Sequence, residues 1–238
     1  MDRPDYTPKQ IADLLQVSTT TLRRYEDQGL IPDVPRTASR RRGYTLLHVQ
    51  AFRTIRALLK AYDYTVAYDM MRHIKADQTE QALWLMNEQQ FNLQEEKRRV
   101  ESVMVMIRES NLTKSVHSRL HAPITIGDAA KVAGVNASAI RHWEKEGLIQ
   151  TERNNENGYR VFNMREVEKI IVISSLRKTV YYIDRMKELL HNLDIRNMAS
   201  VDKAFRLALE QLNHRLVVQF QAMPEVMAYM NVMRPPVT

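Results

Sequence analysis

Cysteine is absent from the 238 residues, which excludes a disulfide framework, a thiol nucleophile and thiolate metal ligands together. Long apolar runs are absent too: no stretch reaches the roughly 18 residues of a membrane span, and no apolar segment behind a basic start suggests a secretory leader. A cytoplasmic protein with no membrane partner is expected. Glycine is scarce, with six residues at Gly29, Gly43, Gly127, Gly134, Gly147 and Gly158. An enzyme built around glycine-rich phosphate loops needs more, so the composition favours helices. All six fall in 29–43 or 127–158, so unusual backbone geometry is called for in two places. What is present suits a folded soluble chain: 44% hydrophobic and 26% charged residues. Lys and Arg exceed Asp and Glu by 35 to 28, a net charge of +7, and this excess favours a polyanionic partner.

The two glycine-bearing regions are related. Thr7–Ile31 (TPKQIADLLQVSTTTLRRYEDQGLI) aligns without gaps on Thr125–Ile149 (TIGDAAKVAGVNASAIRHWEKEGLI), 118 residues on, with eight of 25 positions identical. The identities include Arg23/Arg141, Glu26/Glu144 and Gly29/Gly147; further on, Gly43-Tyr44 is matched to Gly158-Tyr159. Each copy has the pattern of helix, tight turn and helix. Thr7 is expected to cap a first helix with Pro8 at its first position, and Ser18 to cap a second, with Leu22 and Tyr25 inward. In the other copy Thr125 or Asp128 begins the first helix, Gly134 makes the turn, and Asn136 caps the second. Gly29 and Gly147 suit the left-handed position that ends a helix.

Helix, turn and second helix form the arrangement in which the second helix enters the DNA major groove. Residues 36–42, RTASRRR, hold four arginines and no acid. The second copy offers Arg153 and then Asn157-Gly158-Tyr159-Arg160, where Asn-Gly is a hairpin signal because both residues tolerate positive φ. A two-stranded wing here would set these arginines against phosphates.

The run Val17-Ser18-Thr19-Thr20-Thr21-Leu22-Arg23-Arg24-Tyr25-Glu26-Asp27-Gln28-Gly29-Leu30-Ile31-Pro32, with Arg36 and Gly43-Tyr44, resembles the signature of MerR-family transcriptional regulators. Val135–Ile149 with Gly158-Tyr159-Arg160 resembles a more diverged copy. The sequence departs from the family where Thr45 stands in place of a wing arginine, and where Arg24 and His142 replace the first tyrosine of a pair. The resemblance implies a winged helix-turn-helix followed by two further helices and a long dimerisation helix. It also implies a promoter element that is bent and untwisted, with RNA polymerase as a second partner. Segments 47–60 and 164–177 fit the helix after the wing.

Residues 78–110 contain no glycine or proline. Leu83, Met86, Gln90, Leu93, Lys97, Val100, Met104 and Ile107 alternate by three and four, as in a coiled-coil seam. Phe205, Leu209, Leu212, Leu216, Phe220 and Met223 make a similar stripe on a second helix. The expected fold is mainly α: two winged helix-turn-helix domains, each followed by a long amphipathic helix, the two helices forming an antiparallel coiled coil. The divisions are a first winged domain over 1–76, a long helix in 77–111, a linker over 112–123, a second winged domain over 124–192, a long helix in 200–223 and a Met-rich tail over 224–238. Pro224, Pro235 and Pro236 are expected to limit helix there, with Met223, Met227, Met230 and Met233 as adaptable packing. Family geometry applied within one chain gives a monomeric pseudo-dimer presenting two reading heads on one DNA face. The alternative is a homodimer of tandem units.

The residues expected at double-stranded DNA are Thr19, Thr20, Arg23 and Arg24 at the start of the first recognition helix, and Ser138, Arg141 and His142 in the second. Arginine there can pair bidentately with guanine. Arg36, Arg40, Arg41, Arg42, Arg153 and Arg160 are expected at phosphates. Tyr25, Trp143, Tyr44 and Tyr159 have a double reading, ring in the core and polar edge towards a phosphate, with core favoured for Trp143. His117 and His121 stand four apart without a third ligand, so no metal or cofactor is expected. No nucleophile-base motif suggests an enzyme. An architectural DNA-bending protein, like excisionases or DNA-segregation factors, and a helical interaction scaffold are the competing readings.

Overall fold

The structure, a computed structural model, describes residues 6–37, 40–108, 124–154, 157–177 and 182–233; His117 and His121 lie outside them. Among the described residues there are ten α-helices and one three-stranded sheet, in accord with a mainly α chain carrying two winged helix-turn-helix domains and long helices. No helix is long and apolar enough to cross a membrane among these residues. They divide into two compact units. One gathers 1–92 with 214–238, the other 93–213, and both boundaries fall inside a long helix.

In the first unit α1 spans Pro8–Leu15, α2 Thr19–Asp27, α3 Leu46–Ala61 and α4 Tyr64–Lys75. Local chemistry fixes the ends. Gln10 N–H donates to Thr7 Oγ1 at 3.3 Å, while Thr7 N–H donates back to Gln10 Oε1 at 2.7 Å, a reciprocal cap that satisfies two orphan donors. Thr21 N–H donates to Ser18 Oγ at 3.1 Å and starts α2. Gly29, at φ +69°, lets Leu30 N–H reach the Tyr25 carbonyl at 3.0 Å and close the helix. Ile11, Leu22, Tyr25, Leu30, Phe52, Ile55 and Leu58 form the core.

The long helix α5, Thr79–Arg108, starts in this unit. The second unit opens with β1 (Ile124–Thr125), α6 (Ile126–Ala133) and α7 (Ala137–Lys145). Then come β2 (Glu152–Arg153), β3 (Arg160–Phe162), α8 (Met164–Leu176) and α9 (Ile183–Asp194). The last helix, α10, runs over Met198–Met233. The sheet order is β1-β3-β2, antiparallel throughout, with Ile124 opposite Phe162 and Arg153 opposite Arg160. The first unit has bridges in place of strands, Tyr6 to Tyr44 and Arg36 to Arg42. Thr125, with Asp128, caps α6. Asn136 holds the N-cap position of α7 but its side chain does not bond the helix.

Duplication reaches further than the sequence motif. Tyr6–Tyr44 and Ile124–Phe162 are the same bridge 118 residues apart. Asp77 at φ 60° and Arg196 at φ 58° take the same left-handed turn into a long helix, 119 residues apart. Each repeat therefore comprises a winged domain, two helices and a long helix.

The long helices serve the cores of both units. Ala82 and Met86 from the start of α5 share the first core with Val226, Tyr229 and Met230 from the end of α10. Val100, Val103 and Ile107 from the end of α5 share the second core with Val201, Phe205 and Ala208 from the start of α10. Three sequence expectations need correction. The helix does not stop at Met223 but passes through Pro224 to Met233. Proline removes one amide donor; Gln50 Nε2 and Thr54 Oγ1 on α3 donate to the Glu225 carbonyl at 3.2 and 2.8 Å, and burial of Val226, Tyr229 and Met230 anchors the turn beyond it. The buried seam of α5 runs through Ala82, Glu96 and Val103, leaving Leu83 exposed and Lys97 and Met104 half-buried, Met104 against the second core. On α10 the buried row includes Ala208, Gln219 and Ala222, leaving Leu216 and Phe220 exposed. Spacings of three and four are both compatible with one helical face, and on α10 packing buries Ala208 and Ala222 in place of the larger Leu216 and Phe220.

Candidate nucleic-acid interface

In α2, Leu22 and Tyr25 point into the core, which turns Thr20, Arg23 and Arg24 outwards and leaves Thr19 partly covered. The Tyr25 ring packs 6.3 Å from Phe52, and the Arg24 guanidinium lies 5.7 Å from the Tyr25 centroid. In α7, Ile140 and Trp143 are buried, while Ser138, Arg141 and His142 are exposed. His142 Nδ1 is 3.9 Å from Glu146 Oε1. Tyr25 and Trp143 thus place their rings in the core, beneath a polar face at the same place in each repeat.

The first wing is a tight turn. Arg40 N–H donates to the Thr37 carbonyl and Thr37 N–H to the Arg41 carbonyl, both at 2.8 Å. Its four arginines divide into two kinds. Arg42 Nε donates to Glu26 Oε2 at 2.6 Å and Arg36 to Glu26 Oε1 at 3.3 Å, so one carboxylate on α2 braces both sides of the wing. That carboxylate holds the Arg42 guanidinium above its ordinary pKa. Arg40 and Arg41 are exposed and make no ion pair among the described residues.

The second wing repeats the brace. Arg160 Nε donates to Glu144 Oε2 at 2.7 Å, and the Thr151 hydroxyl donates to the other oxygen. Thr151 first, then Arg160, hold the Glu144 carboxyl below the usual carboxylate range. Arg153 folds over the loop and donates to the Gly158 carbonyl at 3.1 Å. Gly158 alone of the Asn-Gly pair has positive φ, at +70°, and Asn154 N–H donates to the Tyr159 carbonyl.

The two wing aromatics differ. Tyr44 is 0% exposed, edge-on to Phe52 at 5.4 Å, and burial raises its phenol pKa, so its ring lies in the core. Tyr159 is 72% exposed. The counterpart of Tyr44 is Phe162, and that of Arg42 is Arg160, since both pairs keep the 118-residue offset. Within this chain the first-repeat equivalent of Arg160 is thus Arg42, not Thr45. Glu26 and Glu144, which organise both wings, carried no expected role; their identity across the repeat was the available signal.

The description "MerR family regulatory protein" matches residues 7–44 and 125–162. The HTH-type transcriptional regulator CueR of Escherichia coli O6:H1 is 28% identical over 68 residues, covering 29% of this chain and 50% of that protein. Heavy metal-dependent transcription regulator 2 of Rhizobium meliloti is 32% identical over 79 residues, 33% of this chain and 54% of its own. The mercuric resistance operon regulatory protein of Bacillus cereus is 30% identical over 69 residues, 29% and 52%. The chain spans about half the length of these curated relatives. No solved structure matches it. One segment in each repeat thus matches the MerR family, so the chain carries a MerR-like unit twice.

Proposed function

We propose that the chain is a sequence-specific regulator of transcription that binds double-stranded DNA as a single-chain pseudo-dimer and distorts its site. The observation that carries this reading is the repeated surface: an exposed polar helix face, Thr20, Arg23 and Arg24 or Ser138, Arg141 and His142, beside a wing braced by one glutamate. Helix residues on such a face reach base edges, and wing cations meet the backbone. Each core also takes in the end of the other repeat's long helix, so one chain contains what two protomers would otherwise supply. Two of the relatives named above are called transcription regulators, which supports the same role here. Bending is offset by added phosphate contacts, at a cost of a few kcal/mol for a site of about 20–30 base pairs.

Selection of bound duplexes from random sequence, followed by the stoichiometry of the complex, tests this. One chain per selected duplex, with two protected half-sites, is expected. An obligate dimer engaging four wings would overturn the pseudo-dimer, and failure to bind any duplex at low salt would overturn the function.

A further inference from the structure

We infer that the second unit holds the DNA backbone through a cationic cradle beside its helix-turn-helix, a phosphate site that the first unit lacks. The inference rests on the DNA-binding reading above and adds residues to it. A concavity of about 500 Å³ opens beside the turn between α6 and α7, and Lys131, Asn136, Ser138 and Arg177 contribute its polar lining. No carboxylate lines it. Lys131 and Arg177, like Arg141 and Lys145, make no ion pair among the described residues, and Asp128, one turn back, acts on Lys131 only through its charge. A third cation stands at the edge: the Arg99 guanidinium lies 3.9 Å from where a side chain at Gly134 would begin. Ser138, Arg141 and His142 are spaced by three and four on α7, so the cradle adjoins the face proposed to read bases.

The other repeat is the internal control. The 118-residue offset places Asp13 where Lys131 stands and Leu59 where Arg177 stands. At the cap, Ser18 Oγ accepts from Thr21 N–H at 3.1 Å, whereas the Asn136 side chain accepts no such bond. The fold itself therefore requires neither cation at these positions. The wings show the opposite asymmetry: Arg40 and Arg41 are exposed in the first unit, where the second has Gly158 and Tyr159 and its exposed Arg153 bonds its own loop. The first unit holds phosphates through its wing and the second through the cradle. The ligand chemistry is an unesterified or diester phosphate oxygen, and the duplex backbone is the source assigned here.

The test uses the full chain and a duplex recovered by selection. Affinity is measured against salt for wild type, for Lys131→Ala/Arg177→Ala, and for Lys187→Ala/Lys203→Ala, which removes equal charge outside the cradle. Two phosphate contacts correspond to a loss of about 1.8 from the slope of log K against log salt, or roughly a 12-fold smaller affinity change between 50 and 200 mM. That loss is expected for the first double variant and not for the second. Equal losses in both, or a cradle variant with the wild-type slope, would overturn the cradle while leaving DNA binding intact. A wild-type affinity that ignores salt would instead overturn the DNA reading itself. Inorganic phosphate is titrated calorimetrically at matched ionic strength: no saturable heat is expected, and saturable heat abolished by the cradle variant would reassign the site to a free phosphate.

Discussion

Arg160 Nε lies 2.7 Å from Glu144 Oε2, sixteen residues back in the chain, and the pair fastens the returning strand of the wing to α7. Arg42 and Glu26 make the same contact over the same separation. A wing brings little apolar surface of its own, so a charge-assisted bond to the neighbouring helix sets where it stands.

Breaking that brace has a pH signature. The Glu144 carboxyl sits low because Thr151 and then Arg160 bond its charged form. Its contribution to stability is complete above the unfolded value, about 4.3 for glutamate, and is lost as pH falls through the lower folded value. Glu144→Gln therefore melts below wild type at neutral pH, and the two melting curves converge in acid. A gap that persists unchanged through the carboxylate range would refute the brace.

Arg23 and Arg41 separate reading from gripping. Arg23→Ala is expected to relax base preference at one position, by about 1–3 kcal/mol of discrimination. Arg41→Ala is expected to weaken every sequence alike and to lower the salt slope by about 0.9. Binding of both variants to a library of single-base site variants distinguishes the roles, and the reverse pattern would exchange them.

Gly147 isolates backbone strain. It sits at φ +72°, and a Cβ there would meet no atom within 4 Å. Gly147→Ala therefore costs about 1–2 kcal/mol through the left-handed conformation alone, measured by denaturant unfolding. A neutral result would mean that the turn after α7 relaxes.

Two buried phenols carry no benefit from their oxygens. The hydroxyls of Tyr62 and Tyr229 have no hydrogen-bond partner among the described residues, and burial pushes the Tyr62 phenol up to about 12 and raises that of Tyr229 as well. Tyr62→Phe/Tyr229→Phe is expected to be neutral or stabilising by about 1 kcal/mol per site, because no bond is lost and a desolvated hydroxyl is removed. In alkali the unfolded chain ionises first, near pH 10, so wild type loses stability as pH rises from there through the folded values. The double variant is expected to lose less, and chemical unfolding across that range checks the sign.

Much of this architecture was legible in the residues. Thr7, Ser18, Gly29, Gly134 and Gly147 announced helix ends because caps and left-handed turns are local chemistry. The slips came where local chemistry was silent. Gly158-Tyr159 resembles Gly43-Tyr44 in letters, yet β3 pairs Phe162 with Ile124, and only that partner strand shows which aromatic faces inwards. Leu216 and Phe220 are more hydrophobic than Ala208 and Ala222, but the smaller pair is buried, since the choice of row depends on the neighbouring surface. Pro224 signalled a stop that α3 overrides through Glu225.

The interlaced long helices have a consequence for biosynthesis. The amino-terminal core includes Val226, Tyr229 and Met230, so it stays incomplete until those residues have left the ribosome. The first core thus waits for residues made after the second is complete at Leu212, and a chain cut between Leu212 and Val226 keeps the buried residues of the second core while the first loses Val226, Tyr229 and Met230.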